Sequence, residues 1–293
     1  MPMAIDIIAL DLDDTLLRAD LSISEGNKRA LARARDAGIR IVLASGRNVH
    51  SMRSYAEELG LLGPGDYMIC SNGAETVHSS SGRLIDERRL DPELCREIAD
   101  AIEEQGFPWQ IYEEGMIHVN LPNPWALEDS RLTGQPTILV EDREEFFARG
   151  LIKFVVPGEP ERVAALLERL RSRFRDRVIV LTSKPYFLEL LPPGADKGSA
   201  LERLTRMLGL PMSRAMAIGD AMNDLGMVAS AGCGCAPANA IPEVKAAARY
   251  VSVRSNEEDA VADLVERLAF PGAPEVEPPN SLDSVPPPSD RLH

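Results

Sequence analysis

Three apolar runs in this chain stop at residues that could do chemistry. Ile7-Ile8-Ala9-Leu10 leads directly into Asp11-Leu12-Asp13-Asp14-Thr15, so two carboxylates stand at i, i+2 where a buried strand ends. Side chains alternate along a strand, and Asp11 and Asp13 share a face if the strand continues. Such a pair costs repulsion and desolvation unless a cation or a reaction uses it. Alone, the pair also fits a strand end followed by a solvated turn. Far downstream, Ala215-Met216-Ala217-Ile218 leads into Gly219-Asp220-Ala221-Met222-Asn223-Asp224, a second strand that ends in acids. Between the two lie Ile41-Val42-Leu43-Ala44 followed by Ser45-Gly46-Arg47, and a lone lysine, Lys197, just after a Pro192-Pro193-Gly194 turn.

The elements that must position these groups read as an alternation of strand and helix. Ser24 caps a helix through residue 37 with Gly38 as its stop, a strand covers 39–44, a helix covers 49–59 and ends at Gly60, and a strand covers 67–70. Strands separated by helices of this length argue for right-handed crossovers and a parallel sheet. Ligands in such sheets sit at the carboxyl ends of the strands, which is where the acids and Ser45 fall. From residue 83 the pattern changes to helix 92–105, strands 109–112 and 117–120, a polar helix, strand 152–156, helix 161–174 and strands 178–182 and 187–191. This predicts an inserted α+β unit with an antiparallel sheet. The expected division is therefore a core of residues 1–82 and 192–270, an insertion of 83–191, and hinges at 79–82 and 192–194. The parallel pattern resumes with helix 197–208, strands 215–218, 232–236 and 250–253, and helix 257–268. Residues 271–293 are rich in Pro, Glu, Ser and Asp and predict a disordered tail.

Taken in chain order, these four motifs and the size of the insertion resemble the haloacid dehalogenase superfamily, in its Cof-type branch with a type IIB (C2B) cap. The resemblance implies a Rossmann-like α/β core under that cap, and a Mg²⁺-dependent phosphatase acting on small phosphorylated metabolites such as sugar phosphates. It implies Asp11 as nucleophile, Asp13 as general acid and base, Ser45 as a donor to the phosphoryl oxygens and Lys197 as the cation that neutralises nucleophile and phosphate. The implied metal ligands are Asp11, the Asp13 backbone carbonyl and Asp220, with Asp224 orienting that shell or joining it. Asp14, Thr15, Gly46, Arg47 and Asn223 are expected around the substrate. Arg47 equally suits a surface salt bridge, and Asn223-Asp224 equally suits a helix cap. One position departs from the family pattern: Asp14 stands where glycine usually follows the second aspartate, adding a negative charge beside a dianion site. Two other readings use similar parts, a phosphomutase or phosphotransferase on the same fold and a phosphorylation-controlled switch of the receiver type. The switch needs no hundred-residue insertion.

Bulk properties narrow the class further. The 293 residues give room for two domains, and 46 acids against 32 bases leave a net charge of -14, which disfavours a nucleic-acid surface. No apolar run approaches a membrane span and the first residues enter a strand directly, so a cytoplasmic protein, a monomer or small homo-oligomer, is expected. Cys70, Cys95, Cys233 and Cys235 form no disulfide framework, and Cys233-Gly234-Cys235 reads as a small-residue buried strand. In the insertion, Trp109, Tyr112, His118, Asn120 and Arg131 have the chemistry to contact a substrate, and each also has an ordinary core or surface role.

Overall fold

The structure, a computed structural model, describes residues 4–270; the expected tail at 271–293 lies outside them. Fourteen strands form two sheets. The first is built from β1 (Ile7–Leu10), β2 (Arg40–Ala44), β3 (Tyr67–Cys70), β4 (Glu75–His78) and β5 (Leu84–Glu87), completed by β12 (Ala215–Ile218), β13 (Cys233–Ala236) and β14 (Tyr250–Val251). Its order is β14-β13-β12-β1-β2-β3-β4-β5, parallel from β14 to β3 and antiparallel over the last two strands. Every residue of β1, β3, β12 and β13 is buried, as continuous apolar runs require when helices cover both faces. The chain leaves β1 toward β2 on one side and reaches β12 on the other. That reversal opens the crevice at the carboxyl ends of β1 and β12.

The second sheet holds β6 (Gln110–Glu113), β7 (Met116–Val119), β8 (Thr137–Leu139), β9 (Phe154–Pro157), β10 (Ile179–Lys184) and β11 (Phe187–Leu191), in the order β10-β11-β9-β6-β7-β8. Helices Pro92–Glu104 and Pro160–Phe174 cover one face. Leu94, Ile98, Ile102, Val163, Leu166 and Leu170 meet Ile111, Phe154, Val156, Leu188 and Leu190 there. Because strand side chains alternate, the neighbours of those residues face the other way. That opposite face turns toward the first sheet.

Two expectations about organisation change. Residues 79–82 are not a hinge: they are the turn of the β4–β5 hairpin, with Gly82 at φ +67, and β4 pairs with β3 in the core sheet. A run of three serines and a glycine serves a hairpin as well as a linker, and the pattern of residues 83–87 was too polar to mark a strand. The core therefore continues through Glu87, and the insertion begins after it. In the second sheet β8 pairs with β7 in parallel, so the sheet is not wholly antiparallel. At the other junction, Pro192-Pro193-Gly194 does separate β11 from helix Lys197–Met207. Among the described residues no helix is long and apolar enough to cross a membrane.

Candidate active site

Asp11 ends β1 with its side chain buried, and its Oδ1 accepts from Lys197 Nζ at 2.6 Å. Lys197 opens a helix whose cap is Asp196, which accepts from Ser199 N at 2.8 Å. Its ammonium is fully buried and also donates to Asp224 Oδ1 at 2.6 Å. Burial opposes that charge, but the two carboxylates outweigh it and hold the ammonium above its ordinary value. Asp224 spends its second oxygen on the backbone N–H groups of Asp220, at 3.0 Å, and Ala221, at 3.1 Å. Gly219 makes this loop possible, since a Cβ there would lie 2.4 Å from that of Asp224. Thr15 donates to Asp220 Oδ1 at 2.6 Å, so it fixes Asp220.

Asp11, Asp220 and Asp224 each offer an oxygen within 4.8 Å of the others, all three buried. Burial first, and then the charge of Asp224, pushes the Asp11 carboxyl well above its usual range. Asp220 rises to about 6, chiefly by burial, against the lowering effect of the Thr15 hydrogen bond. One ammonium does not balance three carboxylates. An all-oxygen donor set with excess negative charge fits a hard divalent cation such as Mg²⁺, and a thiolate or imidazole site would look different. The Asp13 side chain stands outside this cluster.

Asp13 is instead gripped by Arg47, which donates from Nε to Oδ2 at 2.9 Å and from Nη2 to Oδ1 at 2.7 Å. Burial raises the Asp13 carboxyl, the guanidinium fork outweighs it, and the result lies below the ordinary range. Arg47 is thus neither a surface arginine nor turned to solvent. Its remaining nitrogen, Nη1, donates to the Leu132 carbonyl across the cleft at 3.2 Å. Ser45 is buried at the end of β2 and its Oγ accepts from Arg47 N at 3.2 Å. Asp14 adopts φ +58, a conformation that suits glycine and that aspartate tolerates better than most residues. Its carboxylate is mostly exposed and lies 3.9 Å from Lys184 of the insertion. The extra charge thus points to a cation rather than into the acidic cluster.

The insertion roofs this cluster. A cavity between the two sheets is lined from below by Asp11, Asp13, Ser45, Arg47, Asp220 and Asn223, and from above by Tyr112, Asp129, Lys153, Phe187 and Glu189. Three consecutive residues after Ser45 hold the roof. Gly46 gives its carbonyl to Lys153 Nζ at 2.9 Å, Arg47 reaches Leu132, and Asn48 Nδ2 donates to Gln135 Oε1 at 2.5 Å. Asn72, in the loop after β3, donates to Glu189 at 2.9 Å and accepts from Asn223 at 2.9 Å. A Cβ on Gly46 would meet that Asn72 amide at 3.1 Å.

Of the five insertion residues singled out from sequence, only Tyr112 reaches the cavity. Trp109 packs between Phe147 and Phe154, His118 lies against Phe146, Asn120 accepts from Trp109 N, and Arg131 pairs with Glu128 on the surface. Asn72, Asp129, Lys153, Lys184 and Glu189 were missed. For Lys153 and Glu189 a signal existed: each interrupts an apolar strand at a single position, Ile152-Lys153-Phe154 and Leu188-Glu189-Leu190. A lone polar residue there faces away from the packed side.

With this geometry in hand, comparison with known proteins decides the family. A model of haloacid dehalogenase-like hydrolases matches residues 8–265. The chain belongs to the haloacid dehalogenase-like hydrolase family. It is 32% identical over 268 residues to the Bacillus subtilis (strain 168) protein named "Putative phosphatase YxeH", covering 90% of this chain and 98% of that one. A haloacid dehalogenase-like hydrolase from Bacteroides thetaiotaomicron superposes with a TM-score of 0.82 at 31% identity, over 90% of this chain and 99% of the other. The subclass IIB sugar phosphatase BT4131 shares the fold, with a TM-score of 0.75 at 23% identity over 89% and 98% of the two chains.

Proposed function

We propose that this hydrolase is a Mg²⁺-dependent phosphatase of small phosphorylated metabolites, sugar phosphates foremost, working through an aspartyl-phosphate on Asp11. The observation that carries the reading is the Asp11–Lys197–Asp224 triad beside Asp220, at the carboxyl ends of β1 and β12 and beneath a roofed cavity. Lys197 occupies Asp11 Oδ1 and leaves the other oxygen to attack phosphorus in line. Asp11, the Asp13 carbonyl and Asp220 would hold Mg²⁺, which would supply neutralising charge for the dianion. Ser45 and Lys197 donate to the phosphoryl oxygens.

Asp13 protonates the departing alkoxide and then takes a proton from the water that cleaves the aspartyl-phosphate. The Arg47 fork favours its carboxylate, the form needed for the second of these steps. The bidentate fork equally suits a phosphoryl group, so an arriving substrate competes with Asp13 for Arg47 and frees the acid to carry a proton. The phosphatase name of the Bacillus subtilis relative and the subclass IIB sugar phosphatase fold support the reading. A domain division of 4–87 and 192–270 for chemistry, with the intervening unit for substrate choice, follows from the cavity having one wall in each.

A phosphate-release screen over sugar phosphates, nucleotides, pyridoxal phosphate and flavin mononucleotide, with Mg²⁺ present, tests the proposal. Turnover of at least one class that disappears with chelator and in Asp11→Asn is expected. No turnover of any of them, nor of an aryl phosphate, would sink it.

A further inference from the structure

The cavity roof carries one buried carboxylate that the chemistry below does not use. Asp129, on helix Pro124–Thr133, is 3% exposed and lines the cavity. Its Oδ2 accepts two donors: the Tyr112 hydroxyl at 2.6 Å and the Gln110 amide nitrogen. Both come from the cavity-facing side of β6, two residues apart, so the strand fixes the carboxylate from beneath. Among the described residues none donates to Oδ1. Burial lifts the Asp129 carboxyl to about 6, partly offset by the Tyr112 hydrogen bond. Oδ1 is not among the buried side-chain atoms that lack a partner, so with no protein donor it opens onto the cavity and is free to accept from a ligand there.

The surrounding charges narrow what that something is. Lys153 is already committed, to the Gly46 carbonyl at 2.9 Å and to Glu189 at 3.1 Å, and it lies 5.1 Å from the centre of the Tyr112 ring. Its charge is matched by Glu189, and Lys184 is drawn toward Asp14. Among the described residues, what remains in the roof is an acceptor with no uncommitted cation beside it, together with the apolar faces of Val155, Phe187 and Leu132. A second anionic group on the leaving portion would meet Asp129 and Glu189, whereas a polyol presents hydroxyl donors to the acceptor and C–H faces to the apolar wall.

We propose that Asp129 is a specificity-determining residue that accepts a hydroxyl of a neutral polyol leaving group, selecting monophosphorylated sugars over alkyl, aryl or doubly anionic phosphates. The inference rests on the phosphatase reading above and adds the residue that chooses among its substrates. Tyr112 and Gln110 are positioning residues, since they act through Asp129.

The test compares kcat/KM for a hexose 6-phosphate with that for hexyl phosphate, which has the same chain length and no hydroxyls, using the full chain and Mg²⁺. A site built to hydrogen-bond a hydroxyl discriminates against its absence, so the wild type should prefer the sugar by about 30-fold or more. Asp129→Asn should reduce that ratio at least tenfold, on the order of one lost charge-assisted hydrogen bond. A ratio unchanged within threefold overturns the proposal, as does a parallel fall of both rates, which marks a structural role. If Asp129→Asn does not fold, the wild type decides alone: removing one hydroxyl in a deoxyhexose phosphate series should cost about tenfold, and equal turnover of every member overturns the assignment. An aminohexose phosphate preferred over the hexose phosphate overturns the polyol in favour of an ammonium. A wild type that releases phosphate from hexyl and hexose phosphates alike, within threefold, defeats this inference and leaves the phosphatase standing. One that releases it from neither, nor from an aryl phosphate, defeats both.

Discussion

The floor and the roof of the cavity are built by different logics. On the floor, most groups follow the end of a strand of one parallel sheet, Asp11 after β1, Ser45 after β2, Asn72 after β3 and Asp220 after β12, while Lys197 opens a helix. Neighbouring parallel strands bring those ends together whatever their sequence separation, as the 2.6 Å contact between Thr15 and Asp220 illustrates. On the roof, the groups come from beside or inside strands, Lys153 just ahead of β9 and Glu189 inside β11, and from mid-helix in Asp129. On the proposed function, the floor fixes a reaction and the roof presents a surface. A floor substitution should therefore remove turnover for every substrate, and a roof substitution should change the ranking of substrates.

The comparison is broken most decisively at Asp11. Asp11→Asn should lower phosphate release by about 10³-fold or more for all substrates, with an unchanged circular dichroism spectrum. Residual activity within tenfold of wild type would show that the floor has another nucleophile. Chelation comes next: removing divalent cations should abolish release, added Mg²⁺ should restore it, and saturating Mg²⁺ should raise the unfolding temperature by several degrees, since a ligand at about 100 Kd adds about 2.7 kcal/mol. A melting curve insensitive to Mg²⁺ would argue that the three acids hold no ion.

Lys197→Met should cost about 3–5 kcal/mol in a denaturant titration, because Asp11 and Asp224 are then buried without their cation. Activity on an aryl phosphate should fall with it. Lys153→Met removes the partner of buried Glu189 in the same way and should destabilise by a similar or smaller amount, about 2–4 kcal/mol. The two variants sharpen the contrast: comparable stability losses should accompany a general loss of turnover in the first and chiefly altered substrate preference in the second. If both lose aryl phosphate activity equally, floor and roof are not separable. The smallest effect is expected at Arg131, whose pairing with Glu128 is on the surface. Arg131→Ala should stay within about 0.5 kcal/mol of wild type and leave the sugar-to-alkyl ratio alone.

The same difference governed how much could be read in advance. The strand-end motifs were legible because a short apolar run, its acid and the following turn are contiguous, and the parallel sheet then does the assembling. Contacts that depend on side-chain direction across the cleft were not: Thr15 was expected around the substrate and holds Asp220, and Arg47 left two roles open before its fork closed on Asp13. The roof was harder still. Trp109 and His118 drew attention by chemistry, but a large aromatic on a strand with one packed face is usually on the packed side, as both contacts show. Asp129 carried no local mark at all. Its site exists only once β6 lies beneath the helix, a pairing that no window of sequence encodes. The boundary at residues 79–82 failed for a related reason, since a Ser-Gly turn looks the same in a hairpin and in a tether.

That hairpin has a consequence for how such a molecule can diversify. After β5 the outgoing chain passes Ala74, whose carbonyl accepts Arg88 N at 2.7 Å, and the returning chain packs Leu191 and Ala195 against the same Ala74. Entry and exit of the inserted unit therefore share one doorstep at the rim of the catalytic sheet. Any guest whose two ends emerge side by side can be mounted there without lengthening a connection or disturbing a strand. On the proposed division of labour, exchanging the guest would change the choice of substrate and keep the reaction.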